Sequence, residues 1–335
     1  MRGGLRLNLR LNPHLMRVAG GLVALALVLA ACAGVGGTAT PSASSAVPST
    51  PFASAQAGGP TPIDSGPPIP VLGTENFYAD LLTQIGGARV SATSLLNDPN
   101  ADPHAFEASP SAAAAVADAQ LVIVNGLGYD DFMQHLLGAS PNGSRVVINV
   151  QQLLGLGSDT NAHIWYDPGT MPAVAAAAAT ALAKLEPANA TYFAAREQAY
   201  LASLAPLNAK IAELKAKFSG APVAFTEPVA GDLAKAIGLQ VLTPESFQRA
   251  IENGTDPAPA DVAAERDLLT AKTVRVLLFN SQVITPLTQQ VHDLAVANGI
   301  PVVGVAETLP PQYRTYQEWQ LAQMNELEAA LAKGS

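Results

Sequence analysis

Short apolar runs alternate with longer amphipathic stretches from residue 69 to the C-terminus. Short runs bounded by turn-forming residues predict strands, and apolar positions spaced by three and four predict helices. Strands are predicted at 69–73, 90–95, 121–125, 145–150, 222–225, 239–242, 274–279 and 301–305. Helices are predicted at 77–85, 111–118, 130–137, 229–237, 259–271, 286–297 and 316–331. Such alternation predicts an α/β fold, with parallel sheets covered by helices.

The predicted strands form two groups of four, which predicts two lobes. Residues 69–170 supply the first lobe and residues 219–335 the second, each within the ordinary size range of a domain. Three helix starts are marked by a hydroxyl residue directly before a proline: Ser109, Thr243 and Thr285. We expect each hydroxyl to cap a helix whose first turn contains the proline.

Residues 171–218, between the two lobes, predict linking helices. After Pro187, apolar residues recur at intervals of three, four and seven, which indicates one apolar helical face. Thirty helical residues span about 45 Å, enough to run along both lobes. The prediction is therefore one long linking helix. An ordinary core helix in a single α/β domain is the alternative.

Residues 1–31 predict an export signal. The first 17 residues carry four arginines and no acid, and a short apolar stretch follows that ends in Leu29-Ala-Ala-Cys32. The stretch is too short to span a bilayer, which takes about twenty residues. The Leu-Ala-Ala-Cys sequence indicates a lipoprotein signal with Cys32 as the lipidated residue. A plain secretory signal with an incidental Cys32 is the alternative.

Residues 32–68 predict a disordered tether. They consist largely of Ala, Gly, Ser, Thr and Pro, which bury too little apolar surface to form a core. We therefore expect an exported protein held by a lipid on the extracytoplasmic side of the cell membrane. A low-complexity segment without a spacing role is the alternative.

The mature chain carries a large negative net charge, which bears on the class of ligand. Removing residues 1–31 leaves 18 − 4 = 14 basic residues against 27 acids, a net charge near −13. This balance argues against nucleic acid or an anionic membrane surface as the ligand.

Two histidines and two glutamates are the candidate metal ligands: His104, His163, Glu227 and Glu307. Each is predicted to follow a strand, and such loops converge at the carboxyl edge of a parallel sheet. The set suits Mn²⁺ or Zn²⁺ without any cysteine. Two candidates come from each lobe, so a cation in the interlobe cleft would favour a closed arrangement.

Each candidate also has a simpler interpretation. A lone histidine in a loop is more often a surface residue than a ligand. Glu227 precedes a proline and could simply begin a helix. For Glu307, Thr308 and nearby acids offer alternative oxygen atoms. Asp102 and Asp167 are candidates for orienting the imidazoles, although Asp-Pro is also a common turn sequence.

The segments around the two histidines resemble a known family. Asp98-Pro-Asn-Ala-Asp-Pro-His104 and Asn161-Ala-His163-Ile-Trp-Tyr-Asp-Pro168 are similar to the histidine signatures of cluster A-I (zinc/manganese) solute-binding proteins of bacterial ABC transporters. The similarity runs from about residue 69 to the C-terminus and also covers Thr243-Pro-Glu-Ser-Phe and Asn280-Ser-Gln.

The resemblance implies a metal-binding receptor without catalytic activity. It implies that Glu227 is the third ligand and Glu307 the fourth, a position where the family usually has Asp. It also implies a long helix that limits hinge motion, and an ABC permease and its ATPase as partners, with the receptor itself a monomer. The ligand set is similar to the manganese type, yet a given site binds Zn²⁺ more tightly than Mn²⁺, so both ions remain candidates.

Two other function classes are open. A metallohydrolase would need an open metal position and a separate general base, and the sequence contains no HExxH motif, serine elbow or phosphate loop. An adhesin-like surface lipoprotein would need only an exposed patch. Metal binding by the purified protein distinguishes the receptor from this second class.

Overall fold

The fold consists of two parallel four-stranded sheets joined by a long bent helix. The computed structural model describes residues 60–64, 66–99 and 106–334. The predicted signal peptide, Cys32 and residues 32–59 of the tether lie outside the described residues, as do Asp102 and His104. The prediction of a two-lobed α/β protein is confirmed.

The N-terminal sheet has the strand order β2-β1-β3-β4, with all neighbours parallel. Parallel neighbours require crossover connections, and helices supply them. Its elements are β1 (Ile69–Glu75), α1 (Asn76–Gly86), β2 (Val90–Leu96), α2 (Pro110–Asp118), β3 (Leu121–Val124), α3 (Phe132–Ala139), β4 (Val146–Asn149) and α4 (Val150–Leu154).

The C-terminal sheet repeats this order as β6-β5-β7-β8, again entirely parallel. The second and third strands in space are therefore β5 and β7, so β7 lies between β5 and β8. Its elements are β5 (Pro222–Phe225), α8 (Gly231–Ile237), β6 (Gln240–Val241), α9 (Glu245–Glu252), α10 (Pro259–Thr270), β7 (Val276–Asn280), α11 (Pro286–Ala297), β8 (Val302–Val305) and α12 (Tyr316–Lys333).

The linking segment is helical but not straight. It comprises α5 (Thr170–Leu185), a 3₁₀ turn (Pro187–Asn189), α6 (Ala190–Ser203) and α7 (Ala205–Phe218). The bend between α6 and α7 is at Leu204. Pro206 causes it, because a proline has no backbone N–H and its ring clashes with the preceding turn. The long linking helix is confirmed, but its bend at Leu204 was not predicted.

One apolar core joins the two sheets. It includes Leu81 and Ile123 from the N-terminal side, Leu214 from the linking helix, and Phe225 and Leu331 from the C-terminal side, all 0 to 1% exposed. Smaller clusters cover the outer face of each sheet. Because interiors are close-packed and resist deformation, large rearrangement of this shared core is costly.

The helix caps follow the predictions in two cases out of three. The Ser109 hydroxyl accepts from Ala112 N–H, and Thr285 forms a capping box with Thr288. Thr243 does not cap α9, which begins at Glu245. Its hydroxyl instead accepts from Phe225 N–H at 2.9 Å, so it joins the start of the helix to β5.

The short helix α4 was not predicted. The start of α9 was indicated by Thr243 and Pro244, but its range was not among the predicted helices. Within residues 60–64, 66–99 and 106–334, none of the helices combines the length and the apolar composition that crossing a bilayer requires.

Candidate metal site

Two buried carboxylates lie at the carboxyl edge of the C-terminal sheet. Glu227 follows β5 and Glu307 follows β8, with exposed fractions of 1% and 0%. Asn280 ends β7, the strand between them. Its Nδ2 donates to Glu227 Oε2 at 2.5 Å and to Glu307 Oε1 at 2.7 Å. The strand order thus places one amide group between two acids, where it offsets part of their mutual repulsion.

Gln282 fixes the loop that carries Glu307. Its side-chain Oε1 accepts from the backbone N–H of Glu307 at 2.6 Å and of Thr308 at 2.9 Å. Its own backbone N–H donates to Asn280 Oδ1 at 3.0 Å. The two amide side chains therefore hold both carboxylates with contacts that lie entirely within the C-terminal lobe.

His163 meets this edge from the other lobe. It is fully buried and directly precedes a 3₁₀ helix, Ile164–Tyr166. Its Nε2 lies 3.3 Å from Glu307 Oε2. The sequence predicted a loop directly after a strand. Instead α4 and a further loop separate His163 from β4.

Tyr129 also crosses the cleft, and its hydroxyl donates to Glu307 Oε2 at 2.9 Å. Burial, followed by the nearby Glu307 and Glu75 carboxylates, raises the pKa of Tyr129 well above its ordinary value. The phenol therefore stays protonated and serves as a donor.

The other ring nitrogen of His163 faces Asn161. Nδ1 lies 2.9 Å from Asn161 Oδ1, and Glu252 Oε1 is farther away at 3.6 Å. With Nδ1 donating to Asn161, the Nε2 lone pair points toward Glu307 Oε2. A proton or a metal cation between these two atoms, which lie 3.3 Å apart, would stabilise the pair. The nitrogen and oxygen donors present here fit Mn²⁺ or Zn²⁺.

Aromatic rings surround the imidazole. The Trp165 ring centroid is 5.3 Å from that of His163 and 5.0 Å from that of Tyr129. Trp165 is fully buried and also packs on Phe77 at 4.7 Å. This packing fixes the position of the imidazole ring and excludes water from one side of it.

Two further acids lie in the N-terminal lobe. Burial and the nearby Asp130 raise the pKa of Glu75, at the end of β1, well above its ordinary value. Burial raises the pKa of Asp130 to about 6, although its carboxylate accepts from the backbone N–H groups of Asn125 and Gly126. Burial therefore disfavours the ionised form of Glu75.

Asp167 does not orient the imidazole as predicted. It is exposed, and its carboxylate accepts from Gly169 N–H at 2.7 Å beside the start of α5. Asn161, which the sequence analysis did not select, occupies the position at Nδ1. A signal for it was present, since a polar residue two positions before a candidate ligand can fold back onto that ligand.

The structure brings together only part of the predicted ligand set. His163 and Glu307 are adjacent, and Asn280 links Glu227 to Glu307. In the part of the chain that the structure describes, no three His, Cys, Asp or Glu side chains form a group that could hold a metal ion. His104 lies outside that part.

A polar cleft of about 340 Å³ opens beside Asn161. Both lobes line it. The N-terminal side contributes Tyr129, Asp159 and Asn161, and the C-terminal side contributes Pro228, Arg249 and Glu252, among others. The cleft gives solvent a route to the neighbourhood of His163.

Comparisons with known proteins agree with this architecture. The chain is 27% identical to the manganese-binding lipoprotein MntA of Halalkalibacterium halodurans over 147 residues, which are 43% of this chain and 49% of MntA. The chain spans about half or less of the length of the curated relatives it matches.

Two solved structures have the same fold. The periplasmic zinc-binding protein TroA of Treponema pallidum superposes with a TM-score of 0.67 at 21% identity, covering 79% of this chain and 99% of TroA. The solute-binding protein FpvC of Pseudomonas aeruginosa, in complex with Mn²⁺, gives 0.64 at 20% identity and covers 80% of this chain and all of FpvC. The model of the family described as ZnuA, zinc-uptake complex component A, periplasmic, matches residues 71–330, so the chain belongs to that family.

Proposed function

We propose that this protein is the lipid-anchored receptor of an ABC importer that captures Zn²⁺ or Mn²⁺ and delivers it to a membrane permease and its ATPase. The observation that carries the proposal is the meeting of His163 Nε2 and Glu307 Oε2, both fully buried, across the cleft between the lobes. The arrangement brings an imidazole nitrogen of one lobe and a carboxylate oxygen of the other to one point, where both could bind a cation.

The proposed ligands are His104, His163, Glu227 and Glu307. The connection that contains His104 begins beside the site, because Asp98 O accepts from Gln282 Nε2 at 3.4 Å. Gln282 in turn orders the backbone of Glu307. The chain therefore leaves β2 next to the carboxylates that His104 is proposed to join.

The proposed signal to the transporter is closure of the lobes. A cation held by residues of both lobes binds the closed form more tightly than the open form, and this difference shifts the population. The shared core and the linking helix limit the size of the movement. A permease would then recognise the relative position of the lobes.

The proposed anchor is a lipid on Cys32, with residues 32–68 as the tether. The N-terminal sequence supports this proposal, and so does the similarity to a relative named as a manganese-binding lipoprotein. The names of the relatives likewise support Zn²⁺ and Mn²⁺ as the candidate ions. The proposal includes no catalytic step.

Thermal unfolding of the chelated protein, titrated with Mn²⁺, Zn²⁺, Ca²⁺ and Mg²⁺, tests the proposal. A ligand at 100 times its Kd stabilises the native state by about 2.7 kcal/mol. We expect a saturable shift with Mn²⁺ or Zn²⁺ that is lost in His104→Ala and His163→Ala. His292→Ala is the control, because His292 is not one of the proposed ligands and its ring contacts Asp293 on α11. No shift with any of the four ions would reject the receptor and favour an adhesin-like lipoprotein.

A further inference from the structure

The side chain of Asn189 binds the backbone of Ile63, which lies 126 positions earlier in the chain. Its Oδ1 accepts from Ile63 N–H at 2.7 Å, and its Nδ2 donates to Ile63 O at 3.0 Å. Asn189 is 1% exposed and ends the 3₁₀ turn Pro187–Asn189 between α5 and α6. A buried amide thus pairs with both backbone polar groups of one residue that precedes the first strand.

Arg89 binds the same segment, residues 63–66, at its other end. Its Nη1 donates to Gly66 O at 3.1 Å. The rest of the guanidinium is bound by the Glu186 carboxylate, with Nε 3.0 Å from Oε2 and Nη2 2.6 Å from Oε1. Glu186 Oε2 also accepts from Asn189 Nδ2 at 2.9 Å, so the three side chains form one hydrogen-bond network.

The network is largely removed from water. Arg89, Glu186 and Asn189 are 5%, 9% and 1% exposed. A buried ion pair requires partners for its remaining donors, and the carbonyl oxygen of Gly66 supplies one of them. Asp64 contributes little, because its carboxylate is 94% exposed and lies 3.9 Å from Arg89 Nη1. The network is therefore matched to the backbone of segment 63–66.

Backbone recognition makes the contact nearly independent of sequence. The hydrogen bonds from Asn189 and Arg89 end on one backbone N–H and two carbonyl oxygens of the segment. Every residue has these groups, except that proline has no N–H. Ile63 itself is 58% exposed, so its apolar side chain adds little burial. The network suits a peptide of almost any sequence at this position.

The network lies at the amino edge of the N-terminal sheet. Arg89 ends the 3₁₀ turn Gly87–Arg89 directly before β2, and β1 begins three residues after Gly66. The two strands are parallel, and the seven residues of β1 span about 23 Å. Tyr129, which contacts Glu307, follows β3 at the opposite, carboxyl edge. The network and the proposed metal site are therefore at opposite edges of this sheet.

We propose that Arg89, Glu186 and Asn189 form a docking site for the chain's own tether, which fixes the point where the tether leaves the N-terminal lobe. The proposal rests on the proposed lipid anchor at Cys32. Docking of segment 63–66 limits the tether to residues 32–62. It also attaches the tether at the edge opposite the metal site, so the attachment point does not cover the polar cleft.

The remaining length of the tether is matched to the size of the lobe. Residues 32–62 are 31 residues, and a flexible chain of this length has an r.m.s. reach of about 30 Å. That reach exceeds the length of β1, about 23 Å. The lobe can therefore turn its metal-bearing edge toward the membrane while the segment stays docked.

Two substitutions test the docking site from its two sides. Asn189→Ala removes both hydrogen bonds to Ile63. Ile63→Pro removes the N–H that binds Asn189 Oδ1 and leaves every residue of the docking site unchanged. Ile63→Ala is the matched control, because it shortens the side chain and keeps the backbone N–H. Arg89 is left intact, since its loss would leave Glu186 buried without a cation.

The measurements use the full chain carrying Cys32→Ser, without metal. Hydrogen exchange of the Ile63 amide, followed by NMR, reports how readily the segment leaves the docking site. Spin labels on cysteines introduced at the exposed positions Thr61 and Gln134 report the distance from the segment to α3 of the N-terminal lobe. Thermal unfolding checks that each variant is folded.

We expect a protected Ile63 amide and a narrow distance distribution in the unsubstituted protein. Asn189→Ala should speed exchange of that amide by about thirtyfold, because two hydrogen bonds are lost. Ile63→Pro loses one, so the ratio of undocked to docked segment should rise by about fivefold. Both variants should broaden the distance distribution, whereas Ile63→Ala should match the unsubstituted protein.

An unprotected Ile63 amide in the unsubstituted protein would overturn the proposal. So would narrow distributions in both Asn189→Ala and Ile63→Pro, because the segment would then be held by other contacts. A distribution as broad in Ile63→Ala as in Ile63→Pro would overturn recognition through the backbone.

Failure of the proposed function has separate signs. Absence of Mn²⁺ and Zn²⁺ binding would reject the receptor, and mass spectrometry of the unsubstituted chain that finds Cys32 without lipid would reject the anchor. Neither result changes the exchange rate or the label distances, so these still decide whether segment 63–66 docks.

Discussion

The two sides of the cleft are built differently, although the two sheets have the same strand order. On the C-terminal side, Asn280 and Gln282 hold Glu227 and Glu307 through contacts within one lobe. On the N-terminal side, His163 is held by Asn161, and Asn161 itself depends on a carbonyl of the opposite lobe. The acids, the acidic half of the site, are thus held mainly within their own lobe, with one further donor from Tyr129 across the cleft, whereas the amide that contacts the imidazole half is bonded to both lobes.

This difference indicates which half adjusts when the lobes move. Asn280 and Gln282 would stay with the acids if the lobes separated, because all of these residues belong to one lobe. His163 would likewise keep its packing on Trp165, whereas Asn161 would lose its contact with Pro228. The contacts that depend on the relative position of the lobes are therefore those of Asn161 and Tyr129.

Asn280→Ala should break the acidic half and have the largest effect. Its amide donates to two buried carboxylates, and a buried acceptor left without its donor costs about 1–3 kcal/mol. We expect a loss of about 3 kcal/mol in the free energy of unfolding, measured by urea titration of the chelated protein. Asn161→Ala is the comparison and should lose less, because it removes no donor from a buried carboxylate. Equal losses would contradict the proposed asymmetry.

Glu265→Gln tests a buried acid of the same lobe that lies outside the site. Burial raises the pKa of Glu265 to about 7, with the Thr243 hydroxyl opposing part of the shift. The unfolded chain releases this proton at lower pH than the folded protein, so stability falls as pH rises between about 4.5 and about 7. The loss is about 3 kcal/mol and then levels off.

We expect Glu265→Gln to flatten that part of the stability profile, measured by urea titration at several pH values. A remaining slope is expected from Asp80 and Asp130, because burial raises the pKa of each to about 6. An unchanged profile would show that Glu265 is ionised in the folded protein.

Tyr129→Phe removes one donor that crosses the cleft while keeping the aromatic ring. The Glu307 carboxylate retains Asn280 as a donor, so the loss should be smaller, about 1 kcal/mol. Denaturant unfolding of the chelated protein measures this loss. A loss as large as that of Asn280→Ala would show that the acidic half also depends on closure.

Glu328→Gln should have the smallest effect, because it lies outside both halves. Glu328, on α12, contacts Lys210 and Lys217 of α7, and hydrogen bonds from these two lysines lower the pKa of Glu328 to about 2. Solvent screens such pairs, so we expect a loss of about 0.5 kcal/mol at neutral pH that disappears as pH falls from about 4.5 to about 2. Thermal unfolding at low and high salt checks this. A loss that is the same at low and high salt would contradict it.

Much of the fold was readable because the relevant signals are local. Alternation of strands and helices follows from side-chain periodicity, and Ser109 and Thr285 cap helices through contacts three residues away. Thr243 has the same local sequence but bonds to β5, because the sheet presents a backbone N–H that the sequence does not show. The bend at Leu204 was readable from Pro206 and was missed.

The site was only partly readable. Glu227 and Glu307 follow strands, and the sequence placed them at one sheet edge. The identity of the residue between them depended on the order of strands in space, which put the end of β7 between β5 and β8. Asp167 had the chemistry of an orienting group, yet its carboxylate bonds locally to Gly169 N–H. Tyr129 reaches Glu307 across 178 positions of sequence.

The sequence alone determined the two-lobed α/β pattern, the long helical link and the residue types available for a cation, because each follows from periodicity or side-chain chemistry. The tertiary structure alone decided that Asn280 bridges the two acids. It also decided that Asn161, next to His163, bonds to Pro228, which lies 67 positions from Asn161 in the sequence. Contacts between distant segments depend on how the sheets pack together. Directional hydrogen bonds then select which of the available polar groups are close enough to pair.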